Sequence, residues 1–313
     1  MVWLFWFLIR SVLGGTAARC ARRGRGFRIG HFISCWFTSA LASRRVRRVG
    51  AACASASWTV RSSTLDNYPA LVRVFGRSRN QHGTSRQPLM RWAGLFCAAS
   101  GAVLDVAFGP YTCSEARLFL VLLLRQGPGR LWIGDAAYCS YVHLALLGKA
   151  GSHFLGVRPA SRNENRLRKL GKGDELHVWT RPRPEHSAFA RFLSDVPETL
   201  TVRVLRASLR RKGYRTRSIV LCTTLLDPAA YPAAELVHCY AQRWDVELDL
   251  RAIKVDHGAG HLNARKPRTA VHEFYACLLA YNLVRALAQQ TGVPVQSSVT
   301  RACRRCSRKP RTK

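Results

Sequence analysis

The chain has 313 residues, in which Lys and Arg outnumber Asp and Glu by 50 to 17, a formal net charge of +33. That length buries a sizeable core, as one large domain or two small ones, and a charge this far from zero points to a polyanionic partner. The eleven cysteines, odd in number and scattered, exclude a small disulfide-framed secreted domain and make reduced thiols in the cytoplasm the expectation.

Residues 1–60 show no clear hydrophobic period. The opening MVWLFWFLIRSVLGG is apolar over too short a run to span a bilayer, and its first Arg follows the run rather than preceding it, unlike a signal peptide. No other stretch looks transmembrane, so no membrane partner is expected. Up to Asp66 there are eleven Arg, no Lys and no other acid. Three readings of this segment stand side by side: a basic arm lying along DNA phosphates, plain disorder, or GC-rich DNA read out of frame. The tail 291–313 is also basic and acid-free. Its lone Cys303-x2-Cys306 lacks the second pair that a zinc ribbon needs.

From residue 61 the chain reads as globular. Residues 64–90 contain one acid, Asp66, and then a basic polar loop. RWAGLFCAA and AVLDVAFG, joined at Ser100-Gly101, predict a β-hairpin. SEARLFLVLLLRQG (114–127) predicts a helix, with a Ser cap, Glu in its first turn and Gly past its end. RLWIG then predicts a short buried strand ending at Asp135, and α/β folds often place chemistry at the C-terminal end of such strands. SYVHLALLGKAG reads as the next helix and HFLGVRP as the next strand. Within 159–230, ELHVWTRP, TLTVRVLRASL and YRTRSIVLCTTLL read as strands joined by basic loops. Glu235 to Lys254 reads as one helix breaking at Gly258, followed by a last helix from about Ala270 to Gln289. Periodicity by itself supports a mixed α/β protein.

The most informative stretch is 240–254, YAQRWDVELDLRAIK. At about 100° per residue, Tyr240, Arg243, Glu247 and Lys254 fall within about 60° of one another, beside an apolar stripe of Val246, Leu250 and Ile253. A carboxylate flanked by cations and a phenol suits a metal-assisted phosphodiester site. An ordinary amphipathic helix with an i,i+4 pair between Arg243 and Glu247 is the plainer reading of the same residues.

With Trp244 after the Arg, Tyr240-x2-Arg243-x3-Glu247-x6-Lys254 resembles the signature of DDE transposases of the insertion-sequence-four family. HLNARKPRTAVHEFYACLLAYNLVRAL resembles that family's C-terminal helices, and WIGDAAYCSYVHLALLGKAG its second-Asp motif, although Ala136 stands where the family usually has Arg. The resemblance covers roughly 64–290. It implies an RNase-H-like catalytic domain over 61–290, with a β-rich insertion at about 159–230 before the last catalytic helix. It implies metal-dependent cutting and joining of double-stranded DNA at insertion-sequence ends, with Mg2+ (or Mn2+) held by Asp135 and Glu247. Tyr240, Arg243, Lys254 and Trp244 would contact terminal DNA. A homodimer on paired ends, in the bacterial cytoplasm at the nucleoid, is also implied.

The family's first catalytic Asp lies in an Asp-Gly-Thr-like motif about eight residues before a second Asp-containing segment. TLDNYPALVRVFG resembles that second segment, so Asp66 matches the downstream, non-catalytic Asp. Eight residues back lies Trp58, in SASWTVRSS, with no acid. Either Asp66 substitutes or the first carboxylate is missing. The second alternative leaves an inactive remnant that only binds DNA.

Overall fold

The computed structural model describes residues 54–81, 83–98, 100–160, 165–183, 190–209, 217–241 and 243–291. The expectations for 1–53, for the tail beyond 291 and for Cys303 and Cys306 fall outside these residues. Ala54–Leu65 forms β1, the strand around which the sheet is built. It pairs antiparallel with β3 (Gly83–Cys97) and parallel with β5 (Arg130–Gly134). β4 (Val103–Pro110) returns antiparallel to β3 across the turn at Gly101, whose φ of 68° only glycine adopts freely. β6 (His153–Val157) lies parallel beside β5.

The run from Arg166 to Thr223 adds β7 (Arg166–Gly171), β8 (Asp174–Thr180), β9 (Thr199–Leu209) and β10 (Arg217–Thr223). β10 pairs antiparallel with β6, so these strands extend the same sheet, in the order β2-β3-β1-β5-β6-β10-β9-β8-β7. Here β2 is Arg77–Asn80, and the two-residue β11 (His261–Leu262) pairs with the far end of β1. The mixed α/β expectation therefore holds.

Helices cover both faces. Glu115–Arg125 (α2) and Tyr141–Lys149 (α3) are capped by Ser114 and Ser140, whose side chains accept from Arg117 N–H and His143 N–H. They bury Leu118, Phe119, Leu122, Tyr141 and Leu144 against Val60, Leu95, Trp132 and Phe154 on one face of the sheet. The opposite face carries Leu131, Ile133 and Leu155 under α4 (Ala233–Ala241). Further along that face, Met90, Trp92 and Phe96 lie under α5 (Trp244–Arg251) and α6 (Pro267–Thr291).

Three sequence expectations need correcting. Residues 64–90 are not a loop: they hold the end of β1, a short helix α1 (Pro69–Phe75) with Pro in its first turn, β2 and the start of β3. The signature segment is not one helix. After α4 the chain tightens to three-residue bonds, Arg243 N–H to Tyr240 O (3.0 Å) and Val246 N–H to Arg243 O (3.1 Å). After α5 it widens into a π turn over Ala252–Asp256. That wide turn leads into Gly258, at φ 74°, and so brings His261–Leu262 round to pair with Thr64–Leu65. Positions taken from a straight helix therefore fail beyond Ile253, and Lys254 lies in the π turn.

Candidate active site

The site is built where β5 ends beside the middle of β1. Ser57 pairs with Ile133 as the last rung of the parallel ladder, two residues before Asp135. Side chains alternate along a strand. Leu131 and Ile133 pack with Tyr240 on the α4 face, so Asp135 continues on that face. One oxygen of Asp135 accepts from Ala137 N–H at 3.0 Å and caps a short 3-10 turn over Ala136–Tyr138. This cap holds the carboxylate at the strand end.

Glu247 is brought to the same region by α5, whose Val246 and Leu250, with Ile253, are buried as the anchoring stripe. Its partner comes from β1: Arg61 Nη2 donates to Glu247 Oε2 at 2.7 Å, across 186 residues of sequence. Arg61 Nη1 donates to Thr59 Oγ1 (3.2 Å) and to Val60 O (2.9 Å), which fixes the guanidinium along its own strand. Arg243 approaches the other carboxylate oxygen of Glu247 at 3.9 Å and lies 5.8 Å from the centre of the Tyr240 ring.

Two phenols report how these groups share one electrostatic environment. Tyr240 is 3% exposed. Burial raises its pKa, Arg243 opposes the rise and Asp135 adds to it. Tyr138 donates to Glu115 Oε2 at 3.1 Å. Its pKa is raised by burial first, then by Glu115 and Asp135, with Arg61 acting the other way. Arg61, Asp135 and Glu115 therefore surround one hydroxyl, while Asp135 and Arg243 flank the other.

The remaining predicted residues are placed differently. Asp66 follows the end of β1 and accepts from, or pairs with, His261 Nε2 at 3.2 Å. Asp66 lies nine residues beyond Ser57, on the order of 30 Å along extended chain, whereas Asp135 lies only two beyond Ile133, the ladder partner of Ser57, so the structure does not bring Asp66 to Asp135. Trp58 and Trp244 belong to described backbone, but their side chains lie outside the described residues. Arg61 and Glu115 were missed by sequence reasoning. Glu115 reads as a first-turn helix carboxylate, and nothing near Arg61 in sequence signals a partner so distant. Among the described residues, no three His, Cys, Asp or Glu side chains converge as a metal site, and no helix is long and apolar enough to cross a membrane.

A strand-end aspartate and a glutamate returned to the central strand by a late helix are thus the two carboxylates that the fold places around the end of β5. The model of the transposase DDE domain family matches residues 60–283, and the chain belongs to that family. It is 32% identical over 218 residues to the transposase InsG for insertion sequence element IS4 of Escherichia coli (strain K12). That alignment covers 68% of this chain and 47% of the relative, so the chain spans about half the length of the curated relative it matches. A piggyBac transposase synaptic complex with hairpin DNA, solved by cryo-EM, aligns with a TM-score of 0.40 and 9% identity, over 83% of this chain and 55% of that one.

Proposed function

We propose that this chain is an insertion-sequence-four-type transposase that engages double-stranded DNA at the ends of its element. The observation that carries the reading is the return of Glu247 to β1, beside the strand that ends in Asp135. Three antiparallel strands, β4, β3 and β1, followed by β5 and β6 parallel to β1, support an RNase-H-like core. β7 to β10 form the β-rich insertion within a domain spanning 61–290. Arg243, by its fork, and Lys254, as a point charge, hold terminal phosphates with Trp244, while the buried Tyr240 supports Arg243 with its ring 5.8 Å away. A homodimer bridging paired ends, working in the cytoplasm, completes this reading.

In its cutting form such a protein uses Mg2+, or Mn2+, to activate water and then a 3′-hydroxyl at phosphorus. Asp135 and Glu247 are the candidate metal carboxylates. The residues present do not fit that metal centre: hard divalent ions are held by converging carboxylates, and β1, which runs beside β5, carries no acid along Ala54–Leu65. The reading favoured is a transposase core that binds element ends without cutting them.

The test is a supercoiled plasmid carrying the flanking inverted repeats, incubated with Mg2+ or Mn2+ and with either the native chain or Glu247→Ala. Binding to the repeat ends with no nicking by either protein is the expected result. Nicking at the ends that disappears in Glu247→Ala would overturn the binding-only reading and establish a cutting enzyme. Indifference to repeat sequence would overturn end recognition itself.

A further inference from the structure

We propose that Arg61 is the resident cation of this site: its guanidinium occupies the place against Glu247 that a divalent ion would take, and its removal together with an acid at Thr59 makes the site metal-binding. The inference rests on the assignment of Asp135 and Glu247 to one site. It goes beyond that assignment by naming what balances their charge.

Both oxygens of Glu247 already face a guanidinium, Oε2 that of Arg61 at 2.7 Å and Oε1 that of Arg243 at 3.9 Å. The contact with Arg61 has the length of a charge-assisted hydrogen bond. Arg61 does not reach Glu247 as a free surface side chain. Its other terminal nitrogen is tied to Thr59 Oγ1 and Val60 O on a strand held on both sides, by β3 and by β5. Thr59 is 6% exposed, so this tie sits in the sheet.

Charge counting points the same way. At Glu247 one negative charge faces two positive ones, those of Arg61 and Arg243. A dication entering beside them would meet two fixed positive charges. Metal sites of this chemistry instead keep an excess of carboxylate. Thr59 is the position where a carboxylate would change the balance, because its Oγ1 accepts from the Arg61 guanidinium at 3.2 Å.

The experiment titrates Mn2+ into the full chain and follows the loss of the free-ion electron paramagnetic resonance signal. Four proteins are compared: the native chain, Arg61→Gln, Thr59→Asp/Arg61→Gln, and the last combined with Glu247→Gln. Thermal melting of each establishes that it is folded. The double variant is expected to bind Mn2+ about tenfold or more tightly than the native chain, a change of the size that ligand-supporting groups produce. Addition of Glu247→Gln is expected to abolish the gain. Arg61→Gln, which keeps a hydrogen-bonding stem, separates loss of charge from loss of packing. Equal Mn2+ affinity of the native chain and the double variant would overturn the proposal, and so would a gain that survives Glu247→Gln. A double variant that melts as an unfolded chain is replaced by Thr59→Asp alone, for which unchanged affinity is expected while Arg61 remains and a full gain would refute the role of Arg61. Binding of the native chain to repeat ends in the presence of a chelator is measured in parallel. Its failure would sink the end-binding function and leave the metal result standing by itself.

Discussion

His143 shows how burial turns one side chain into a pH sensor for the fold. It is 3% exposed on α3, faces Phe119 at 4.5 Å between ring centres, and shares a hydrogen bond between Nδ1 and Ser140 Oγ at 3.0 Å. Burial lowers its pKa to about 4, against 6.5 for the free imidazole. The folded pKa is depressed, so the unfolded chain takes up a proton first as pH falls. Stability from this residue is complete above about pH 6.5 and is lost progressively toward pH 4, by about 3 kcal/mol in all. Chemical denaturation at pH 7 and pH 4.5 is expected to show this loss in the native chain, and to show it reduced in His143→Gln. At the same scale, Arg61 and Glu247 are 38% and 42% exposed at their side chains. Their pair is screened by water and contributes about 0–1 kcal/mol, so its importance lies in the charge of the site and not in holding the fold.

Among elements, the docking of α6 on α5 and on the β3–β4 turn is specified by polar contacts inside an apolar interface. Arg285 Nη2 donates to Asp249 Oδ1 at 2.6 Å, with side chains 8% and 5% exposed. Tyr281 OH donates to Gly101 O at 2.8 Å. A Cβ at Gly101 would overlap the Arg285 guanidinium, which adds packing to φ as a reason for glycine there. Removing one member of a buried pair strands the other. Arg285→Met is expected to cost about 3–5 kcal/mol, and Asp249→Leu/Arg285→Met much less than the sum of the single changes. Urea unfolding of the three variants reads this directly; additive losses would show that the two side chains are not coupled.

The same scale explains what was legible in the sequence. β5, α2 and α3 carry their own punctuation, Ser114 and Ser140 before the helices and compact apolar runs within them. β1 has none. Its residues alternate small polar with larger apolar types, and its strand character comes from β3 and β5, which arrive later in the chain. The Pro in the first turn of α1 was a readable signal, masked by the basic loop that periodicity suggested. The helical spacing in 240–254 pointed to the anchoring stripe of Val246, Leu250 and Ile253, and these are buried. It could not reveal the tight turn at Arg243 or the π turn at Lys254, since both are set by where the chain must go next.

For the whole molecule, the charge of +33 supplies attraction to any polyanion, so affinity by itself says little about recognition. Each phosphate neutralised releases counterions, and the logarithm of the binding constant falls with the logarithm of salt at a slope of about −0.9 per contact. Arg243→Ala and Lys254→Ala are each expected to reduce that slope by about 1 on repeat-end DNA, measured by fluorescence anisotropy across salt concentrations. On DNA without the repeats, the same variants are expected to change little, because the rest of the cationic surface remains. Equal effects on both DNAs would mean that the signature residues contribute charge without end recognition. Strands β7 to β10 are tied to the rest of the fold at this scale too. Arg203, fully buried on β9, donates to both oxygens of Asp174 (2.8 and 2.6 Å) and to Tyr231 O (2.7 Å). The added strands are thereby fastened to the segment that leads into α4.

One contact of α6 bears on how this large sheet stays solitary. The amide of Asn282 accepts from Val103 N–H at 2.9 Å and donates to Val103 O at 3.0 Å. A single side chain thus presents to β4 the same pair of groups that a neighbouring strand would present. Open strand edges recruit other chains, and proteins blunt them in several ways. Here one rung at the edge, Val103, is met by a counterfeit peptide bond carried on a helix.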